Sequence, residues 1–337
     1  MSEASKLDQP ISVGPIRIAN RVFLAPMSGI TDRPMRKRAY AHGAGLVVSE
    51  MVASGELAKG RAGSALRIEP TAGGPHMVQL AGRDATWLAQ GARIAADEGA
   101  DIIDINMGCP AKKVTGGLCG SALMREPDHA IRLIEAVVGA VSVPVTVKMR
   151  LGWDDTSLNA PDVARRAVDA GAQMITVHGR TRCQFYTGSA DWSAVAAVRA
   201  AISVPLVVNG DICSRQDAEA AISASGADAV MIGRGHYGRP WLAGTIAGGR
   251  AAPPASVDAL ADYIVAHYED MLSLYGIESG LRQARKHLGW YLDRHAPECD
   301  EAMRSAIMTG REPNAVEAAL RCAFDPERAN GTQEFAA

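Results

Sequence analysis

The sequence predicts an α/β fold: a closed (β/α)8, or TIM, barrel followed by a small C-terminal helical bundle. Three observations predict it. Short runs rich in Val, Ile and Leu alternate with amphipathic stretches, a Gly-Ala pair recurs just ahead of several runs, and the pattern turns wholly helical after Gly248.

The eight runs are Val22–Met27, Gly45–Ser49, His76–Leu80, Asp101–Asn106, Pro144–Met149, Met174–His178, Pro205–Asn209 and Ala229–Gly233. Unbroken apolar runs are what strands covered on both faces need. Between them, Asp84–Glu98, Pro127–Ala140, Pro161–Ala170 and Arg215–Ala224 carry a single apolar face. Eight strands alternating with helices close into a barrel. The pairs Gly43-Ala44, Gly99-Ala100, Gly171-Ala172 and Gly226-Ala227 each fit a left-handed helix end followed at once by a strand. An open doubly wound sheet is the structural rival, but no GxGxxG follows the first strand.

The barrel is expected over residues 1–248 and a linker rich in Ala, Pro and Gly over 249–256. A helical domain over 257–328 and a frayed tail over 329–337 complete the chain. Ser256 fits the N-cap of a helix whose apolar face holds Val257, Leu260, Ile264, Tyr268 and Met271. Further helices are expected near Gly280–Arg294, Asp300–Met308 and Asn314–Ala323.

The apolar fraction of 47% supports a sizeable core, and the net charge of −2 excludes nucleic-acid binding by global charge. Any RNA contact must use a local basic patch. The six cysteines form no CxxC pair and no metal-ligand spacing, so reduced thiols in a cytoplasmic protein are expected, with no metal. The polar start, Met1–Pro10, lacks the apolar stretch of a signal peptide, and no run is long enough to span a membrane.

A barrel of this kind carries its site at the C-terminal ends of its strands. Reactive and polar types gather there: Pro26-Met27-Ser28, Gln79, Asn106 through Pro110, Lys148-Met149-Arg150, His178-Gly179-Arg180, Asn209-Gly210-Asp211 and Gly233-Arg234. Gly210 and Gly233, after the seventh and eighth strands, fit a phosphate site completed by Arg234. Lys148 reads as a stabiliser of negative charge, a Schiff-base former, or a structural ion pair with Asp104 or Asp211. His178 fits a donor to a planar ligand. Cys109, between Gly108 and Pro110, fits a general acid, since an ordinary thiol with a pKa of about 8.5 is mostly protonated at neutral pH.

Taken together these segments resemble the tRNA-dihydrouridine synthases, and in particular the bacterial B-type, NifR3-like branch. The resemblance rests on Ala25-Pro-Met-Ser-Gly-Ile-Thr-Asp-Arg-Pro34, Asp104-Ile-Asn-Met-Gly-Cys-Pro-Ala-Lys-Lys113 and Val147-Lys-Met-Arg150. It also rests on Thr176-Val-His-Gly-Arg-Thr-Arg182, Val208-Asn-Gly-Asp-Ile212, Ile232-Gly-Arg-Gly235 and Ala284-Arg-Lys-His-Leu-Gly-Trp-Tyr291. Ser28 stands where Ala is common in the family.

The resemblance implies FMN as cofactor and NADPH as electron donor, with NADH as the alternative. Flavin contacts fall on Pro26, Met27, Ser28, Gln79, Lys148, His178, Asn209, Gly210, Asp211, Gly233 and Arg234. The implied reaction reduces uridine in tRNA to dihydrouridine: hydride passes from flavin N5 to C6, and Cys109 protonates C5. The partner is tRNA, with a D-loop uridine flipped into the barrel, and no obligate protein partner is expected. Asn106, Lys112, Arg180, Arg182, Arg282, Arg285 and Lys286 are the expected substrate contacts, with Arg36, Lys37, Arg38 and Lys113 as further basic candidates. The rivals are a flavin barrel acting on a free pyrimidine, a Schiff-base lyase, and an RNA-binding barrel without activity.

Overall fold

The computed structural model describes residues 6–248 and 254–324. The chain divides into two compact units, Met1–Gly235 with Leu242–Arg250, and His236–Trp241 with Ala251–Ala337.

The first unit is a closed barrel of eight parallel strands. They are β1 (Val22–Leu24), β2 (Leu46–Val48), β3 (His76–Ala81), β4 (Ile102–Met107), β5 (Val145–Arg150), β6 (Ile175–His178), β7 (Leu206–Asn209) and β8 (Ala229–Ile232). Each pairs with its sequence neighbours, and β8 closes onto β1 through Val230↔Val22 to Ile232↔Leu24. All eight lie on the runs read from sequence. Every residue of β3, β4 and β5 is buried, as strands with both faces covered require.

The helices follow local signals. Asp84 caps Ala85–Asp97 by accepting from Trp87 N, and Ser214 caps Arg215–Ser225 by accepting from Asp217 N. Gly43, Gly99, Gly171 and Gly226 all take positive φ between a helix and the next strand.

Register sorts the barrel interior into layers. The floor is apolar: Phe23, Leu46, Met77, Ile102, Val207 and Ala229 cluster with Ile11, Val13 and Ile18. Those last three belong to an antiparallel hairpin, Ile11–Val13 with Ile16–Ile18, which the sequence reading did not foresee. Above the floor the interior turns polar. Gln79 sits beside Asp104 and Asp104 beside Thr146, while Asn106 sits beside Lys148 and Lys148 beside Thr176. Arg150, His178 and Asn209 share the next level. Polar residues on continuous buried strands mark the end that does chemistry.

Two short helices, Ser54–Ala58 and Ala62–Ile68, stand between β2 and β3. Arg36 ties this region down. Its buried guanidinium donates to Thr71 Oγ1, Thr31 O and Glu69 O. Arg38 is buried too and donates to Pro34 O. Neither is available as an RNA contact: in each the charge is spent on the fold.

The second unit is helical: Val257–Tyr275, Ile277–His295, Glu301–Thr309 and Pro313–Phe324. Ser256 caps the first helix by accepting from Ala259 N, and Ile264, Tyr268 and Met271 are buried on its inner face. Val257, expected on that face, is exposed. His236–Trp241, placed with the barrel on sequence, groups with this unit, where Tyr237 stacks on Trp290 with centroids 3.7 Å apart. Residues 249–253 of the expected linker and the whole of the expected frayed tail lie outside the described residues. Among the described residues no helix is long and apolar enough to cross a membrane.

Candidate active site at the barrel mouth

Cys109 leaves the end of β4 in a turn whose backbone groups are all spoken for. Asn106 Oδ1 accepts from Gly108 N at 3.2 Å and from Cys109 N at 3.0 Å. Arg150 Nε donates to Gly108 O at 2.8 Å. Ser121 donates to Cys109 O from both its N–H and its hydroxyl. The turn is therefore fixed while the thiol remains half-buried and unpaired with any other cysteine. Lys112, Lys113 and Leu118 lie in the loop that Ser121 closes, and Leu118 is exposed there in a left-handed conformation.

Lys148 is buried, and its Nζ donates to Asn209 Oδ1 at 2.9 Å, while Asn209 Nδ2 donates to Met231 O. It makes no ion pair with Asp104 or Asp211, so the structural ion pair weighed on sequence is not formed. Burial and the neighbouring Arg150 push the Lys148 ammonium down to about 8, with Asp104 pulling back. Burial likewise pushes Asp104 up to about 6, against hydrogen bonds from Gln79 and Thr146 and the charge of Lys148.

His178 is half-buried at the end of β6, and desolvation there, with the charges of Lys148, Arg150, Arg180 and Arg234, holds it well below its ordinary range. It is neutral at neutral pH. Arg180 Nη1 lies 3.3 Å from His178 Nε2. A guanidinium only donates, so Nε2 accepts and Nδ1 carries the proton. A depressed folded pKa means that the unfolded chain takes up the proton first as pH falls. Stability present above about pH 6.5 is then lost progressively below it. Thermal unfolding from about pH 7 to about pH 5 will show a shallower loss of midpoint for His178→Asn than for the native protein.

Asp211 braces the tips of β7 and β8. Its carboxylate accepts from both terminal nitrogens of Arg180, from Arg234 Nη2 at 3.1 Å and from Ala190 N. Burial acts to raise its carboxyl, but these partners outweigh burial and hold it below the usual range. Arg180 is fully buried and also donates to Thr187 O and Gly188 O. It was expected to face RNA; the structure instead commits it to the strand-tip loops.

Among the described residues three non-glycine residues have positive φ, namely Leu118, Phe185 and Asp211, and all sit in loops at this end. Strain gathered at one place is a mark of a working site. Gly210 carries φ +123, and a Cβ there would stand 2.7 Å from Ala190 Cβ and 3.0 Å from His178 Cδ2. Gly210→Ala will cost about 1–3 kcal/mol in a denaturant titration and loosen whatever the His178 tip holds.

The mouth suits a phosphorylated planar group. Among the described residues the N–H groups of Gly210 and Gly233 meet no protein acceptor. A Cβ on Gly233 would find only ordinary contacts, with Met27 Sδ at 3.6 Å and Ala25 Cβ at 3.8 Å, so the backbone there is open to approach. Arg234 reaches the same corner with an exposed side chain. Pro26 and Met27 are half-buried and Ser28 is exposed at the end of β1, with Met27 Sδ against Gly233.

Two residues of the mouth went unassigned on sequence. Arg150 ties the Cys109 turn to the loop after β6, donating to Gly108 O, Thr181 O and Phe185 O. Its spacing two residues beyond Lys148 on one strand was the available signal. Tyr186 lies under the guanidiniums of both Arg150 and Arg234, at 5.4 and 5.0 Å. Nothing in its loop sequence announces this.

Of the expected RNA contacts, Arg182 is half-buried against Trp153, its guanidinium 4.8 Å from the ring. Lys112 is exposed. In the helical unit Arg282 and Lys286 are exposed on the outer face of Ile277–His295, and Leu281, Leu288 and Leu292 are buried on the inner one. Arg285 is half-buried and donates to Thr309 O.

Comparison with known proteins agrees with the geometry. The family model for dihydrouridine synthase (Dus) matches residues 23–326. A probable tRNA-dihydrouridine synthase of Rhizobium leguminosarum bv. phaseoli is 59% identical over 94% of this chain and 99% of its own. The tRNA-dihydrouridine synthase B of Xanthomonas axonopodis pv. citri is 46% identical over 94% and 96%. Among solved structures, morphinone reductase aligns with a TM-score of 0.55 at 15% identity, over 76% of this chain and 93% of its own. An old yellow enzyme homologue from Zymomonas mobilis gives 0.55 at 17% over 76% and 96%. The structural likenesses bear on the barrel fold; the family rests on the match along the chain and on relatives this similar over nearly their whole length. By that evidence the protein belongs to the dihydrouridine synthase family of oxidoreductases.

Proposed function

We propose that this protein reduces uridine in tRNA to 5,6-dihydrouridine, with FMN at the barrel mouth and NADPH, or alternatively NADH, as the source of electrons. The observation that carries this reading is the Cys109 turn, a fixed backbone presenting a half-buried thiol beside a buried lysine and a neutral histidine. Bound there, FMN supplies the hydride that adds to C6 of the uracil ring.

The chain's residues do the rest. Hydride addition leaves an electron pair at C5, conjugated with the C4 carbonyl. Cys109 Sγ–H gives its proton to C5, and the resulting thiolate is reprotonated from solvent. Lys148 supplies positive charge toward the flavin ring, and His178 offers its Nδ1–H as a neutral donor. The N–H groups of Gly210, Asp211 and Gly233, with Arg234, hold the phosphate. Asp211 serves through its backbone, because its carboxylate is taken by two arginines. Pro26, Met27 and Ser28 line one edge, while Gln79 and Asn209 position Asn106 and Lys148. Asn106 keeps one N–H of its amide free to orient the base.

The target base must leave its stack to reach such a pocket. Contacts to the tRNA backbone then fall on Lys112, Arg182, Arg282, Arg285 and Lys286. Replacing Arg282 and Lys286 by Ala will weaken tRNA binding and lower its salt slope by about 2, read by filter binding across a salt series. This reading places the protein in the cytoplasm with no protein partner needed.

The test is a nucleoside digest of unmodified tRNA after incubation with NADPH and the FMN-loaded protein. Dihydrouridine should appear, and free uridine under the same conditions should not be reduced. Turnover of free uridine at the rate of tRNA would favour the free-pyrimidine rival instead.

A further inference from the structure

A buried carboxylate two residues upstream of Asn106 has no part in the chemistry above. Asp104 is 2% exposed, and its two oxygens accept from Gln79 Nε2 at 2.7 Å and Thr146 Oγ1 at 2.6 Å. Gln79, 1% exposed, uses its other end to accept from Asn106 Nδ2 at 2.7 Å. Asn106 in turn accepts from the N–H groups of Gly108 and Cys109. Four side chains on β3, β4 and β5 thus form one continuous chain from Thr146 through Asp104, Gln79 and Asn106 to the Cys109 turn.

The polarity of that chain is fixed at both ends. Backbone N–H groups can only donate, so Asn106 must present Oδ1 to them and Nδ2 to Gln79. Gln79 must then present Oε1 to Asn106 and Nε2 to position 104. What stands at 104 must therefore accept. A donor facing Gln79 would oppose Nε2 to a like group, and one buried polar group of the chain would go unpaired wherever the amides settled. The family's reaction uses the end of this chain, not its beginning.

We infer that Asp104 is a positioning residue, an obligate acceptor that sets the orientation of the Gln79 and Asn106 amides and so holds the Cys109 turn in register for proton delivery. This rests on the proposed role of Cys109, but the register itself is independent of it. For the amide register it is an acceptor that matters at 104; its charge bears separately on the Lys148 ammonium. Asn can turn its carbonyl to Gln79 and give its amide N–H to Thr146, whose hydroxyl can accept as readily as donate. Leu, of similar size, cannot accept at all.

The experiment compares Asp104→Asn and Asp104→Leu with the native FMN-loaded protein by two readouts. The first is the alkylation rate at Cys109, resolved from the other thiols by peptide mass spectrometry. The second is single-turnover reduction of unmodified tRNA, alongside the rate of flavin reduction by NADPH. Asp104→Leu should alkylate about tenfold faster at Cys109, as a loosened turn opens more often. It should reduce tRNA at least about tenfold more slowly while flavin reduction stays within about threefold of native. Asp104→Asn should alkylate at Cys109 within about threefold of the native rate.

Should Asp104→Leu fail to fold, Asp104→Ala takes its place, since it too leaves Gln79 Nε2 facing no side-chain acceptor and should speed alkylation at Cys109. Unchanged alkylation at Cys109 in Asp104→Leu, or in Asp104→Ala where that is used, overturns the inference. So does an Asp104→Asn variant that alkylates as fast as Asp104→Leu. If the native protein reduces no tRNA, the proposed function is lost, and the alkylation pattern still decides the register on its own.

Discussion

Cys109→Ala will retain flavin and take electrons from NADPH at close to the native rate, yet form almost no dihydrouridine. The thiol makes no bond to the neighbouring frame, which is built from the backbone of Gly108 and Cys109 with Asn106, Arg150 and Ser121. Removing sulfur therefore leaves the turn and the lysine–histidine side of the mouth in place. On the proposed reaction, what goes is the proton donor that quenches the carbanion at C5. Losing a positioned general acid costs about 10²–10⁴-fold, and the measured quantity is the rate of tRNA reduction from the pre-reduced protein. Equal loss in both half-reactions would mean that Cys109 supports the cofactor rather than the substrate. Cys119, partly buried with its thiol pushed upward by burial, is no substitute; Cys119→Ala will reduce tRNA normally.

Lys148→Met will produce the second large effect, on the other side of the reaction. Among the described residues Lys148 is held by Asn209 alone and lacks an ion pair, so its charge is available to whatever occupies the mouth. A preorganised cation in a dry site is worth about 10²–10³ in rate where negative charge develops. The variant should also lower the midpoint potential of bound flavin, because an anionic reduced ring loses its counter-charge. Native activity should fall as pH rises through about 8, where the Lys148 ammonium gives up its proton, and the residual activity of the variant should lack that limb. Schiff-base chemistry makes a different forecast: borohydride with a carbonyl substrate would trap the native protein at Lys148.

The strands were legible because burial on both faces leaves no room for polar residues except where a site needs them. That is why β3, β4 and β5 read as apolar runs broken by Gln79, Asp104, Asn106, Thr146, Lys148 and Arg150. The glycines before β2, β4, β6 and β8 were legible for a local reason, a left-handed helix end. Contacts between distant segments were not. Arg36 and Arg180 look in sequence like surface charge, but carbonyls and a carboxylate from remote loops satisfy them inside. Tyr186 acquires its place only when β5 and β8 bring Arg150 and Arg234 to either side. The hairpin at the barrel floor was passed over because two strands of three residues carry almost no periodic signal.

The polar upper half of the barrel also explains why Asp104 reads as unremarkable in sequence. A carboxylate inside a barrel suggests a metal ligand or an ion pair. Here it accepts from Gln79 and Thr146 and forms no ion pair, and its meaning lies in which atoms of two amides it allows to face it.

The most direct measurement is an anaerobic re-oxidation experiment. Protein loaded with FMN and reduced by one equivalent of NADPH is mixed with unmodified tRNA, and the visible flavin band is followed in time. The band should return at the rate at which dihydrouridine appears in quenched samples, one per flavin. A protein that takes up no FMN, or a reduced flavin that stays reduced until air is admitted, would contradict the proposed function.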